Sequence, residues 1–310
     1  MTIREALAGG SAALAAAGIE SSGLDASLIL AEVLKISRSS LMTAASEPLT
    51  EALRAIFDGL IKRRLAGECT AYILGRKEFY GLDFQVNPAV LVPRPDTETL
   101  VEAALKELAS GSPLRVLDLC TGCGAIAIAL KHAMPELEIW AADISAEALE
   151  VAQANAGRLL PGETIHFCCG NLFDVFSNEG SGTRDWGLGI DVRNQSEIPI
   201  RDDHKQQTFL FSVIVSNPPY IPTAEIAGLS PEVRGEPMLA LDGGGDGLDI
   251  IRKIISRAPE FLCSGGSLLL EADPRQMEGI KSLLLQAGFT GIQTHRDLSG
   301  KERVIGGKKP

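Results

Sequence analysis

No run of about 18 consecutive apolar residues occurs in the sequence, so no segment reads as a membrane-spanning helix. Positive charge is in deficit: 29 Lys and Arg face 40 Asp and Glu, for a formal net charge of −11. Residues 1–80 hold nine of each sign, so the whole excess of acid lies downstream, at thirty-one against twenty. An acidic body gains nothing from counterion release, which argues against strong nonspecific binding of nucleic acid. One basic run, Lys62-Arg63-Arg64 with Arg76-Lys77, reads as a solvated helix face that is also able to touch an acidic partner or RNA phosphates. The G-x-G-x-x-G spacing of dinucleotide folds is missing, and the four histidines (His132, His166, His204, His295) have no H-E-x-x-H or triad context. A clear export signal is lacking too: the alanine-rich residues 6–17 are weakly hydrophobic, follow Glu5 and show no cleavage pattern. The six cysteines are therefore expected to be reduced thiols in the cytoplasm.

What is present suits one large or two ordinary globular domains, since 45% of the 310 residues are apolar. Disorder and coiled coil fit poorly. Residues 1–76 read as a small helical bundle, with apolar positions at helical spacing in Leu24, Leu28, Ile29, Val33 and Leu34, and again in Leu53, Ile56, Phe57, Leu60 and Ile61. Residues 77–95 read as a β-hairpin linker, alternating through Glu78 to Val86 with Gly81 available for a turn. Pro88, Pro93 and Pro95 then punctuate the chain, and Asp96 or Thr97 is placed to cap a following helix.

Residues 96–310 alternate strand, loop and helix, with strands expected at 114–119, 138–142, 165–169, 211–215 and 267–271. That rhythm predicts an α/β, doubly wound and mostly parallel sheet whose ligands bind at the carboxyl ends of the strands. Residues 177–208 interrupt it as a polar insertion, too long for an ordinary connection of about 2–6 residues. The insertion reads as disordered, with a hairpin excursion through Trp186, Leu188, Ile190 and Val192 as the alternative.

Two constellations carry chemistry. In the first, a strand ending in Asp118-Leu119 runs through Cys120-Thr121-Gly122-Cys123-Gly124 into a helix, and the glycines let a ligand approach the backbone. About 20 residues on, Asp143 ends the next strand, where a carboxylate accepts the hydroxyl hydrogens of a ribose, as both NAD and S-adenosylmethionine present. The plainer reading makes Asp143 the cap of the helix after Ile144. Cys120-x-x-Cys123 with Cys168-Cys169 also invites a metal reading, but neighbouring cysteines on a strand face opposite ways and suit a tetrahedral site badly.

The second is Ser216-Asn217-Pro218-Pro219-Tyr220, directly after the apolar strand Val213-Ile214-Val215. Successive prolines cannot continue a central strand, so the backbone leaves the sheet on a rigid path. The Asn217 carboxamide oxygen and the free Pro218 carbonyl are then able to accept both hydrogens of a planar NH2 group, with Tyr220 stacked on its π system. Such a grip answers a specific difficulty, because an amide nitrogen has its lone pair delocalised. Holding both N–H bonds in a pyramidal geometry turns that pair toward an electrophilic methyl, with no strong base needed beforehand. The plainer reading is a proline-rich turn with a buried tyrosine.

These motifs, with Arg63-Arg64, Gly67-Glu68, Ala71-Tyr72-Ile73, Gly75, Pro93-Arg94-Pro95, Gly170-Asn171-Leu172-Phe173 and Leu229-Ser230-Pro231-Glu232-Val233, make the chain resemble the HemK/PrmC-type glutamine methyltransferases over nearly its whole length apart from the insertion. The resemblance implies a Rossmann-like class I S-adenosylmethionine-dependent methyltransferase sheet behind a small N-terminal helical domain that recognises substrate. It implies methyl transfer from S-adenosylmethionine to the side-chain amide N5 of the glutamine in the Gly-Gly-Gln motif of peptide chain release factors. By position it implies Cys120, Thr121, Gly122, Cys123 and Gly124 around the methionine moiety, Asp143 on the ribose, and Asn171 with Leu172 near the adenine. Asn217 adjoins the cofactor and, with Pro218, Pro219 and Tyr220, holds the substrate amide; Pro93, Arg94 and Thr97 line the pocket entrance.

Three positions depart from the family pattern: Cys120 stands for a glycine and calls for a backbone adjustment, Asn171 for an acid, and Glu271-Ala272-Asp273-Pro274 for Glu-Ile-Gly. The Asn-Pro-Pro-Tyr piece also occurs in nucleic-acid amino methyltransferases acting on adenine or guanine. That activity, a ribosomal-protein glutamine methyltransferase and a non-catalytic adaptor stand as alternatives.

Overall fold

Thr2 opens the first helix, α1 (Ile3–Ala16), with a reciprocal cap: its hydroxyl accepts from Glu5 N at 3.3 Å while its own N–H donates to Glu5 Oε2 at 2.8 Å. In the computed structural model, residues 1–109, 115–176 and 210–310 are described. Four more helices come next: α2 (Ser22–Leu34), α3 (Ser40–Thr43), α4 (Glu51–Leu65) and α5 (Thr70–Leu74). They close over Leu14, Ile29, Leu30, Phe57 and Ile61, all buried. Gly10 on α1 is required there, because a Cβ would come within 2.7 Å of the Phe57 ring. Gly75, at φ 70°, ends α5 in the left-handed conformation.

Strands β1 (Arg76–Phe79) and β2 (Leu82–Gln85) pair antiparallel around Tyr80-Gly81. Both turn residues have positive φ, 52° and 74°, as a two-residue hairpin turn requires. Asn155 ties this hairpin to the later part of the chain: its carboxamide accepts from Gln85 N at 2.7 Å and donates to Gln85 O at 3.0 Å and to Cys123 O at 3.1 Å. Helix α6 (Glu98–Leu108) begins after the prolines, with Thr97 at its cap position. The Thr97 hydroxyl does not cap the helix, contrary to expectation, because it is engaged with Asn217.

The remainder is a seven-stranded sheet. In chain order its elements are β3 (Arg115–Leu119), α7 (Ala125–Ala133), β4 (Glu138–Asp143), α8 (Ala146–Leu159), β5 (His166–Cys169), β6 (Phe211–Ser216), short helices α9 (Thr223–Ile226), α10 (Pro231–Arg234) and α11 (Met238–Leu241), α12 (Asp249–Phe261), β7 (Leu262–Glu271), α13 (Met277–Gln286), β8 (Thr290–Arg296) and β9 (Glu302–Lys308). The strand order is β5-β4-β3-β6-β7-β9-β8, parallel except that β9 pairs antiparallel with both β7 and β8. This is the expected α/β, mostly parallel sheet with helices on both faces. Leu100, Val101, Ala104 and Ile128 cover one face, and Ile251, Ile254, Phe261 and Leu284 the other.

The expected parallel strands are present, with β7 beginning five residues before the expected 267. The carboxyl ends of β3, β4, β5 and β6 gather on one side, where the order reverses between β3 and β6. The residues expected to form the insertion, 177–208, and the expected strand start at Leu114 lie outside the described residues.

Candidate active site

The glycine loop, Asp143, Gly170-Asn171 and the proline corner each stand at the end of one of these four strands. At the end of β3 the chain turns through Cys120, Gly122 and Gly124, all at positive φ (60°, 57° and 81°). Cys120 thus takes the left-handed conformation usual for glycine, at a cost of about 1–2 kcal/mol. Gly124 is needed for close packing, since a Cβ would meet Ala152 Cβ at 3.2 Å. At Gly122 a Cβ would meet nothing within 4 Å: the backbone there borders open space.

The Asp118 carboxylate holds the loop from beneath, accepting from Thr121 Oγ1 at 2.6 Å and from Ala127 N at 3.2 Å. It is fully buried, and burial pushes its pKa up to about 7, against the lowering effect of those two donors. Burial raises the Cys120 and Cys123 thiols to about 12, with Asp143 and Asp118 respectively adding to the rise, so neither is a thiolate near neutrality.

Asp143 ends β4 with one oxygen accepting from Gly122 N at 2.8 Å and the other from Ser145 N at 3.0 Å. The cap of α8 is Ser145, whose Oγ accepts from Ala148 N at 3.1 Å, so Asp143 is not the helix cap. A carboxylate with four lone-pair sites keeps acceptor capacity beyond its backbone donors, and the residue borders an open cleft. The cleft is lined by Cys120, Gly122, Asp143, Asn171, Leu172, Asn217 and Pro219, which brings the loop, the ribose candidate and the proline corner to one space. Thr121, Cys123, Gly124, Pro218 and Tyr220 stand outside its wall: the first three shape the loop and the last two back the corner.

Pro93, Arg94 and Thr97 do not line the cleft either; Ala89, Val90 and Leu91 do. The physical reason is pairing. Arg94 donates to Glu236 at 2.6 Å, and Thr97 is buried behind Asn217. Arg64 is not a solvated cation but 1% exposed, held by Asp25 at 2.8 Å and by Glu232 across to α10. Arg63 pairs with Glu68, and Arg76 with Glu32 and Asp83, so most of the basic run is neutralised within the chain.

At the end of β6 the Ser216 hydroxyl donates to Leu119 O at 2.7 Å and clamps the strand ends together. Asn217 Nδ2 donates to Thr97 Oγ1 at 3.2 Å, which leaves Oδ1 on the opposite side of the carboxamide, for the cleft. Tyr220 is packed under the cleft floor, and burial raises its phenol pKa. Its carbonyl accepts from Gln276 Nε2 at 2.9 Å. Gln276 is placed by a reciprocal cap with Asp273, so the departing Asp273-Pro274 sequence supplies a brace for the tyrosine. The wall opposite comes from Pro237, Leu239, Ala240 and Ile250, of which Leu239, Ala240 and Ile250 belong to none of the sequence motifs. Their signal is Leu241-Asp242-Gly243-Gly244: a Cβ at Gly243 would lie 2.8 Å from Tyr220 Cα, so the wall closes tightly on the corner.

Comparison with known proteins accords with this geometry. The family model described as PrmC N-terminal domain matches residues 5–75, and one described as methyltransferase domain matches residues 116–183. A release factor glutamine methyltransferase of Geobacter sulfurreducens is 38% identical over 308 residues, covering 99% of this chain and 96% of that one. One from Moorella thermoacetica is 37% identical, covering 98% of each. Among solved structures, a T. thermophilus 16S rRNA methyltransferase in complex with AdoMet and guanosine shares the fold, at TM-score 0.50 and 16% identity over 76% of this chain and 50% of that one. With near end-to-end identity of this order, the chain belongs to the release factor glutamine methyltransferase family.

Proposed function

We propose that the chain transfers a methyl group from S-adenosylmethionine to the side-chain amide N5 of the glutamine in the Gly-Gly-Gln motif of peptide chain release factors. The observation that carries this reading is the Asn217 carboxamide, held by Thr97 at the end of β6 with its oxygen left for the cleft that Gly122 and Asp143 border. The names of the relatives support the same substrate class.

The residues present fit the cofactor. The open space over Gly122 admits a ligand against the backbone, and Asp143 is fixed at the rim with lone pairs to spare for ribose hydroxyls. Asn171 and Leu172 would flank the adenine, and Cys120 and Gly122 the methionine moiety, with Thr121, Cys123 and Gly124 shaping the loop behind them. When bound, S-adenosylmethionine supplies a methyl group on a positively charged sulfur, an electrophile.

The chain's own residues do the rest. Asn217 Oδ1 and the Pro218 carbonyl accept the two N–H bonds of the substrate amide and hold its nitrogen pyramidal. The prolines keep that grip rigid, and Tyr220, braced by Gln276, supports it from below. Positioning and dipole placement of this kind contribute on the order of 10 kcal/mol. No side chain has to remove a proton first, because the nitrogen becomes acidic only on gaining the methyl group. Helices α1–α5 serve substrate recognition in this reading, and the enzyme works in the cytoplasm.

Incubation with methyl-labelled S-adenosylmethionine and a release factor tests the reading. Label on the glutamine of Gly-Gly-Gln is the expected result; label that enters ribosomal protein, RNA or DNA and leaves that glutamine unmarked overturns it.

A further inference from the structure

The last residue of β7, Glu271, is 1% exposed, and one of its oxygens, Oε2, has no hydrogen-bond partner. Such a group is expensive to bury, and methyl transfer to the substrate amide does not use it. Its neighbours say what it does. Thr97, itself buried, and Asn217 are the side chains whose hydrogen-bonding capacity favours its charged form, and Asn217 Nδ2 donates to Thr97 Oγ1 at 3.2 Å. A carboxylate accepts only, so the Thr97 hydroxyl proton points to Glu271 and the Thr97 oxygen is left to accept from Asn217. Every group on this side of Asn217 therefore demands its NH2 end.

We propose that Glu271, acting through Thr97, is a positioning residue that fixes which end of the Asn217 carboxamide faces the cleft. A carboxamide turned by 180° would place NH2 against the substrate's own N–H bonds, where nothing accepts them. With a neutral partner in place of the carboxylate the two orientations become comparable, and the productive one is diluted.

The charged groups around Glu271 are Arg303 on β9, Asp96 in the turn before α6, and Asp273 just beyond β7, with Tyr220 the neighbouring phenol. Arg303 is itself paired with Asp96 at 3.0 Å and Asp297 at 3.5 Å, so it does not cancel the carboxylate outright. Burial leads the effects that place the Glu271 pKa at about 7. Protonation in that region turns the group into a donor and removes its preference for the NH2 end.

The inference rests on the proposed reaction, and the test separates the two. Turnover of a Gly-Gly-Gln peptide is followed from pH 5.5 to 8.5, as a range spanning about 1.5 units either side of that pKa, for the wild type, Glu271→Gln, Thr97→Val and Thr97→Ser. Calorimetry gives S-adenosylmethionine affinity for each. Glu271→Gln, which imitates the protonated acid, is expected to lower kcat by at least ~10-fold near pH 8 with cofactor affinity within ~3-fold, and to flatten the acid limb of the wild-type profile. Thr97→Val loses turnover similarly, and Thr97→Ser, which keeps the hydroxyl, retains it. Glu271→Gln with wild-type turnover or an unchanged acid limb overturns the inference and leaves the reaction standing. Where Glu271→Gln does not fold, Thr97→Val decides: turnover equal to wild type overturns the inference. A wild-type chain that binds the cofactor but never labels glutamine overturns the reaction and the inference with it.

Discussion

At the scale of single residues the site is a set of short polar side chains whose partners leave them one orientation each. Asn217 shows what that implies for measurement. Asn217→Ala removes the acceptor but leaves Gly122, Asp143 and the cleft walls in place, so cofactor affinity is expected to persist while turnover of a Gly-Gly-Gln peptide falls at least ~100-fold. Near-normal turnover in that variant refutes the grip. The buried acids make a second, thermodynamic prediction. Asp118 and Glu271 both titrate near 7 in the folded chain, against 3.8 and 4.5 for exposed groups. A raised carboxyl pKa means the folded state holds its proton more tightly, so this contribution to stability is complete below pH 3.8 and is lost as pH rises through about 7. Urea midpoints are therefore expected to fall less between pH 5 and 7 for Glu271→Gln than for the wild type, by up to one proton, or about 1.4 kcal/mol per pH unit. Equal slopes count against a proton on Glu271.

At the scale of elements, the strands and helices that carry the motifs were legible because their periodicity and punctuation agree. Val213-Ile214-Val215 followed by two prolines has no other reading in a parallel sheet, and β6 ends at Ser216 as that pattern requires. The wall opposite was not legible. Leu239 and Ala240 lie on α11, whose four residues are too short for a hydrophobic period, and the α10–α11 segment is held by long-range ion pairs through Glu232 and Glu236. Arg64 is the plainest case: in sequence it sits in a basic run, yet burial places it between Asp25 and Glu232, 39 and 168 residues away. Thr97 misled for a similar reason, since nothing local announces that Asn217 will claim its hydroxyl. Removing one partner of a buried ion pair strands the others, so Arg64→Met is expected to cost about 3–5 kcal/mol by urea denaturation. A loss below ~1 kcal/mol would place Arg64 among ordinary surface cations.

At the scale of the molecule, the acidic excess sets what the protein leaves alone. The candidate site lies wholly downstream of residue 80, where acid exceeds base, and the cations of the helical domain are largely spent on internal partners. Binding to bulk RNA or duplex DNA at about 150 mM salt is therefore expected to be undetectable by filter retention, with little slope against salt. Micromolar retention that falls steeply with salt would reveal a basic track formed by the fold.

The buried Arg64 couples more than stability. Its guanidinium is shared by an acid from its own helical domain and one from α10, with Gly67 packed so closely that a Cβ would lie 3.0 Å from Pro231. A chimera that exchanges the first 75 residues for those of a cousin must then bring an arginine at this seat and a small residue at Gly67, or redesign Pro231 and Glu232 to match. The two halves meet as one fitted pair, and a boundary drawn through the hairpin alone would yield a hybrid with a stranded charge at its seam.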